Sequence, residues 1–177
     1  QMLFDNANNL ILVGRRNNIS GIYKFNMSTN ALTHISAVSP QANKQSIAID
    51  NNNNIYILGK RLKTDVVSPS YFQNTGDQNT IILMQDVISK YDPNGKHVWS
   101  TFYFNNQSHI WGIAAGSGGL YIYGHEFLTT STSSYFGTTN SHQRNASGVT
   151  KHADPNSSKN TFLSKFSFDG IRLWSTY

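Results

Sequence analysis

Apolar runs of about four to seven residues alternate with clusters of Asn, Gly, Asp and Pro along the chain. Runs this short, rich in Ile, Val, Tyr, Phe and Trp and bounded by turn residues, predict β-strands, and no amphipathic helical period is left over. The runs then repeat as a set of four. Ser46-Ile-Ala-Ile-Asp50, Asn54-Ile-Tyr-Ile-Leu-Gly59, Val87-Ile-Ser-Lys-Tyr-Asp-Pro-Asn-Gly95 and His97-Val-Trp-Ser-Thr-Phe-Tyr103 form one unit. Gly112-Ile-Ala-Ala-Gly116, Gly119-Leu-Tyr-Ile-Tyr-Gly124, Phe162-Leu-Ser-Lys-Phe-Ser-Phe-Asp-Gly170 and Arg172-Leu-Trp-Ser-Thr-Tyr177 match it run for run. A weaker copy, Asn9-Leu-Ile-Leu-Val-Gly14, Gly21-Ile-Tyr-Lys-Phe-Asn26 and Ala31-Leu-Thr-His-Ile-Ser36, precedes them, and its first strand is expected to lie before residue 1 or to be missing.

Consecutive short strands joined by tight turns make antiparallel meanders, and a repeated four-stranded meander is the blade of a β-propeller. The expected fold is therefore all-β, a β-propeller with about three blades present, an incomplete ring. Partial blade 1–40, blade 41–107 and blade 108–177 belong to one domain, with insertions at about 60–86 and 125–161. A β-sandwich is the competing architecture, but it does not require equivalent meanders to share residues at equivalent places. Here Gly14, Gly59 and Gly124 are expected to end the second strand of each unit, Lys24, Lys90 and Lys165 recur in the third, and Trp99 and Trp174 in the fourth. Neighbouring blades bury one another's faces, so equivalent positions meet equivalent surroundings. The recurrent lysine then packs its stem between blades and pairs its head with an acidic or carbonyl group, Asp50 being the partner expected for Lys90.

Taken together, Ile-Ala-x-Asp, Asn-Ile-Tyr-Ile-x-Gly, a Ser/Thr-rich insertion with aromatic-x-Thr, Ile-Ser-Lys-Tyr-Asp-Pro-Asn-Gly and Trp-Ser-Thr-Phe resemble the bacterial beta-propeller repeat (SBBP) family. Residues 46–103 and 112–177 carry the resemblance well and residues 4–38 weakly. It implies a large secreted or cell-surface protein with further blades beyond this segment, and the Asn-rich style suggests bacteria of the Bacteroidetes type. The resemblance further implies export by the type 9 secretion system and an extracellular or outer-surface location. It implies no particular activity.

Composition narrows the partners. With 13% charged residues and 12% aromatics the chain is ordered rather than disordered. A net charge of +5 without a Lys/Arg-rich run reads as a mildly basic surface, so no nucleic-acid partner is expected. No run approaches the roughly 18 apolar residues of a membrane span, and the absence of cysteine removes disulfide and thiolate chemistry.

Long loops on a rigid scaffold are the usual seat of binding. Tyr71 and Phe72 in one insertion, and Tyr135, Phe136, His142, Arg144, Lys151 and His152 in the other, are the candidate binding residues, facing a protein partner, a surface glycan or the remaining blades. The recurrence of Tyr-Phe also suits a simpler role, pinning each insertion to its blade. His125, Glu126, His142, His152 and Asp154 follow no fixed zinc spacing, and Asp50-x-Asn52-x-Asn54 lacks the closing glutamate and turn glycine of a calcium loop. No metal, cofactor or catalytic residue is expected, and Glu126 is the only glutamate. The function expected is a non-catalytic binding scaffold; the alternative is a fragment of a propeller enzyme acting on extracellular polysaccharide, with a carboxylate supplied from elsewhere.

Overall fold

A computed structural model describes residues 1–38, 46–64, 72–105, 108–127, 135–146 and 159–177. Among them every regular element is a strand, in three antiparallel four-stranded sheets whose strands follow chain order. The first sheet holds β1 (Met2–Phe4), β2 (Leu10–Arg16), β3 (Ile19–Asn26) and β4 (Ala31–Ala37). The second holds β5 (Ser46–Ile49), β6 (Ile55–Leu62), β7 (Met84–Tyr91) and β8 (His97–Phe102). The third holds β9 (Ser108–Gly116), β10 (Gly119–Phe127), β11 (Lys159–Phe166) and β12 (Arg172–Thr176).

Two sequence expectations are corrected. The first unit is complete, because Met2–Phe4 pairs with β2. Its three-residue run is short and lacks β-branched residues, but the Asp5 that follows it occupies the place of Asp50. Gly14, Gly59 and Gly124 lie inside β2, β6 and β10 rather than at their ends, so the strands run on toward the insertions. The inserted segments accordingly span 63–83 and 128–158, shorter at each end than the sequence suggested. The three glycines share no single steric cause: a Cβ at Gly124 would sit 2.3 Å from the His109 carbonyl oxygen, whereas one at Gly14 would meet nothing within 4 Å.

The turns are closed by side chains. Asp5 Oδ1 accepts from the backbone N–H groups of Ala7 and Asn9, Asp50 Oδ1 from those of Asn52 and Asn54, and Asp92 Oδ1 from those of Asn94 and Lys96. Ser167 Oγ plays the same part for Asp169 and Ile171. Asn8 and Asn53 then take left-handed backbone (φ 63° and 61°), which Asn tolerates better than branched residues do. Bonds from Asn54, Tyr56 and Asn52 hold the Asp50 carboxyl below its usual range although burial opposes them, so this carboxylate serves the turn. In the first sheet Asn17 and Asn18, both at positive φ, close a two-residue hairpin between β2 and β3. That tight turn stands where the other two sheets carry their insertions.

The sheets stack in chain order with one repeated interface. Leu3, Ile11, Val13 and Ile22 on the front of the first sheet pack on Ile47, Ile55, Ile57 and Tyr91 on the rear of the second. Ala48, Tyr56, Leu58, Ile88 and Trp99 on the front of the second pack on Ile113, Leu120, Ile122 and Phe166 on the rear of the third. A backbone-to-side-chain bond repeats with them: the Ile47 N–H donates to Gln1 Oε1 and the Ile113 N–H to Ser46 Oγ, at equivalent positions. First strands thus lie beside first strands.

Candidate functional site

The two insertions fold back over their own sheets. Gln73 lies beside β8, its carbonyl accepting from the Phe102 N–H (2.8 Å) and from Thr101 Oγ1, while its own N–H donates to Thr101 Oγ1 (2.8 Å). The third sheet repeats the device. Thr138 N–H donates to the Ser175 carbonyl, the Gln143 carbonyl accepts from the Tyr177 N–H and from Thr176 Oγ1, and the Gln143 N–H donates to Thr176 Oγ1. Each insertion therefore covers the outer edge of a fourth strand, where unpaired N–H and C=O groups would otherwise invite another chain.

The repeated Trp-Ser-Thr run follows from this. Trp99 pairs across with Lys90, and Trp174 with Lys165, on the front face. Trp99 Nε1 and Lys90 Nζ both donate to the Phe168 carbonyl of the next sheet (3.2 and 3.1 Å), and the Lys90 ammonium lies 5.6 Å over the Tyr56 ring. Lys90 thus uses a carbonyl rather than the expected Asp50, which is engaged by Tyr56, Asn52 and Asn54. The lysine–aspartate pairing occurs instead in the first sheet, between Lys24 and Asp5 at 3.0 Å. Ser100 faces Ser89 at 2.8 Å on the rear face, and Thr101 holds the insertion. The first sheet, which has no insertion, has no Trp-Ser-Thr either.

Most of the predicted aromatic residues serve as pins. Phe136 is fully buried and stacks on Phe162 with centroids 3.6 Å apart and planes within 3°. Tyr135 donates to Gln73 Oε1 and the Phe104 carbonyl (2.9 Å each), so the two insertions touch. Burial first of all pushes the Tyr135 phenol well above its ordinary range. Phe72 packs edge-on against Tyr103 and Phe166 beneath the Arg172 guanidinium, whose carbon lies 4.3 Å from the ring centroid. His142 and Arg144 are exposed on the second insertion. Tyr71, Lys151, His152 and Asp154 lie outside the described residues.

His125 and Glu126 do not converge. As neighbours in β10 they point to opposite faces: Glu126 is tied to Asn105 Nδ2 and the Tyr177 hydroxyl, whereas His125 lies against His109, Trp111 and Phe127. Neither His125 ring nitrogen has a hydrogen-bond partner among the described residues, and burial, with His109 and Lys159 adding to it, holds the imidazole below its ordinary pKa. Among the described residues no three His, Asp or Glu side chains group as a metal site. No helix among them is long and apolar enough to cross a membrane.

The loop entering β7 carries a feature the sequence reading did not single out. Buried Gln85 accepts from the Asp77 N–H (2.7 Å) and donates to the Asp77 carbonyl (2.8 Å), while Gln78 Nε2 donates to the carbonyls of Lys63 and Gly76. The Lys63 N–H donates to the Leu83 carbonyl. On this braced loop Ile81 is 95% exposed, and Leu62, Ile82 and Leu83 are exposed beside it. The signal available was Ile81-Ile-Leu83 inside a polar insertion, but such a run reads equally well as the start of a strand. At the opposite end of the sheets a cleft of about 410 Å³ between the second and third sheets is lined by Asp50, Asn51, Asn52, Gly116, Ser117 and Phe168, mostly small or turn-forming residues. Comparison with known proteins returns no match to this chain, either among family models or among curated sequences.

Proposed function

We propose that this chain is a non-catalytic interaction scaffold of the β-propeller kind, whose contact face is the rim bearing the two insertions. The exposed aliphatic group Leu62, Ile81, Ile82 and Leu83 carries the reading. A contiguous apolar patch on a soluble surface favours association, and one held by internal hydrogen bonds loses little freedom when a partner covers it. Exposed His142 and Arg144 stand on the neighbouring insertion, which suits a protein partner with an apolar centre and an acidic rim. The propeller reading is supported by the head-to-tail stacking of equivalent sheets with first strands together. The SBBP-like signature from Ile47-Ala-Ile-Asp50 to Trp99-Ser-Thr-Phe102 supports an exported, extracellular or outer-surface setting, type 9 secretion included.

The test is retention of surface-fraction proteins of the source organism on the immobilised chain, compared among three forms. The unaltered chain and a control altered at the opposite rim, Asn52→Ser, are expected to hold the same protein partner. The double variant Ile81→Asp with Leu83→Asp should lose it by roughly tenfold or more, the scale of one or two interface anchors. Equal retention by all three forms contradicts the assignment of the rim.

A further inference from the structure

The two junctions between sheets end in equivalent turns, and one junction is clamped where the other is open. Between the first and second sheets the Asn6 N–H donates to Asn53 Oδ1 (2.8 Å) and Asn6 Nδ2 donates to the Asn51 carbonyl (2.7 Å). Asn51 holds the place of Asn6 in the next turn, since residues 50–54 repeat the hydrogen bonds of residues 5–9. The β9–β10 turn across from it is one residue shorter, Gly116 pairing with Gly119 around Ser117 and Gly118. Gly118 takes the left-handed backbone of Asn53 (φ 75° against 61°) but has no side chain to accept a bond. The N–H and the side-chain amide of Asn51 therefore have no protein partner among the described residues, and the cleft of about 410 Å³ lies between the two turns.

We propose that this cleft binds a neutral saccharide, one hexopyranose unit laid on Phe168 with a hydroxyl bridging the two turns. The clamp of the first junction defines the polarity required. There an amide oxygen accepts from the Asn6 N–H and an amide nitrogen donates to the Asn51 carbonyl. At the open junction the entering group must accept from Asn51 and donate to the carbonyl of Ser117, the counterpart of Asn51, which receives only a long contact from the Tyr121 hydroxyl (3.5 Å). A hydroxyl does both at once. Phe168 stands where the first junction has Pro93. Its ring packs against Tyr56 with centroids 5.8 Å apart, so the core fixes it as an apolar floor for the C–H face of a sugar ring.

Charged ligands fit the same walls poorly. The Asp50 carboxylate is closed to a cation, because Oδ1 accepts from the N–H groups of Asn52 and Asn54 and Oδ2 from Asn54 Nδ2 and the Tyr56 hydroxyl, which fills its acceptor sites. An anion would find no Lys or Arg among the described residues that line the cleft, and the Lys90 ammonium is already engaged by the Phe168 carbonyl. The volume lies within the roughly 300–1,000 Å³ of small-molecule sites.

The cleft lies on the rim opposite the insertions, so it stands whether or not they hold a protein partner. The test is titration of the nitrogen-15-labelled chain with glucose, galactose, mannose and N-acetylglucosamine in turn, with inorganic phosphate and calcium as comparison probes. At least one sugar should shift the amide signals of Asn51, Ser117, Gly118 and Phe168 with a dissociation constant on the order of 1 mM, and should receive saturation transferred from aromatic protons. Gly118→Asn reinstates the missing clamp and should abolish the shifts. Asn suits the backbone there, as at Asn8 and Asn53, and a Cβ meets nothing nearer than Lys165 Nζ at 3.6 Å. Phe168→Leu keeps the carbonyl and the apolar bulk and should weaken binding by roughly tenfold, which keeps the test open should Gly118→Asn fold poorly. The proposal is overturned if no sugar moves these signals well above that concentration, if the shifts survive both substitutions, or if phosphate or calcium moves them in place of a sugar. Neither substitution touches the Ile81 loop, so the rim assay succeeds or fails independently.

Discussion

At the residue scale, His125 is the least satisfied ionisable group described. Its ring is 5% exposed and enclosed by His109, Trp111 and Phe127, so protonation brings a charge into an aromatic setting beside other basic groups. Its folded-state pKa is depressed below the ordinary value of 6.5. On acidification through that value the unfolded chain takes up a proton before the folded chain does, and stability falls until the folded-state pKa is passed. The slope for one such group is at most about 1.4 kcal/mol per pH unit. His125→Phe should flatten the pH dependence of urea unfolding between neutral and mildly acid pH. His97 shifts in the same direction and is present in both proteins, so the comparison isolates His125. Identical pH profiles for the two proteins would show that His125 is not held neutral.

At the element scale, the insertion and the fourth strand are one device. Thr101 is fully buried and its hydroxyl both accepts from the Gln73 N–H and donates to the Gln73 carbonyl. Thr101→Val keeps the shape and leaves the Gln73 N–H unpaired at the edge of β8, while the Gln73 carbonyl keeps its bond from the Phe102 N–H. The expected cost is about 1–3 kcal/mol, read as a lower urea midpoint at unchanged slope. Thr176→Val should act likewise through Gln143, whereas Thr33→Val in β4, which has no insertion to hold, should be close to neutral.

Much of this scale was legible in the sequence. Residues in equivalent surroundings repeat, so Lys90 and Lys165, or Trp99 and Trp174, mark third and fourth strands without ambiguity. Asp5, Asp50 and Asp92 mark turns because a carboxylate that binds its own backbone works wherever the chain must reverse. Three things were not legible. Met2–Phe4 is too short to register as a run, although it is held by β2 and by the Gln1 bond to the second sheet. The partner of Lys90 is a main-chain carbonyl, which leaves no trace in side-chain identity. The recurrence of Tyr-Phe pointed to the pins at Phe72 and Phe136, but the contact of Tyr135 with the other insertion and the exposed tip at Ile81 depend on where the insertions lie, and loop paths carry no periodicity.

At the scale of the whole molecule, one packing rule holds from first sheet to second and from second to third. The lysine-bearing front of one sheet meets the aliphatic rear of the next, and an indole and an ammonium share one carbonyl at the second of these junctions. The rule explains why Trp99 is buried while its repeat, Trp174, remains 36% exposed in a single chain. The chain has three tryptophans, Trp99, Trp111 and Trp174, so its indole N–H protons give three resolvable signals. Hydrogen exchange of these signals by nuclear magnetic resonance, at a concentration where the chain is monomeric, tests the rule directly. The Trp99 indole proton is predicted to exchange far more slowly than the other two and to show a nuclear Overhauser contact with the Phe168 α-proton; three indole protons exchanging at the same rate, with no contact to Phe168, would contradict the stacking of the sheets.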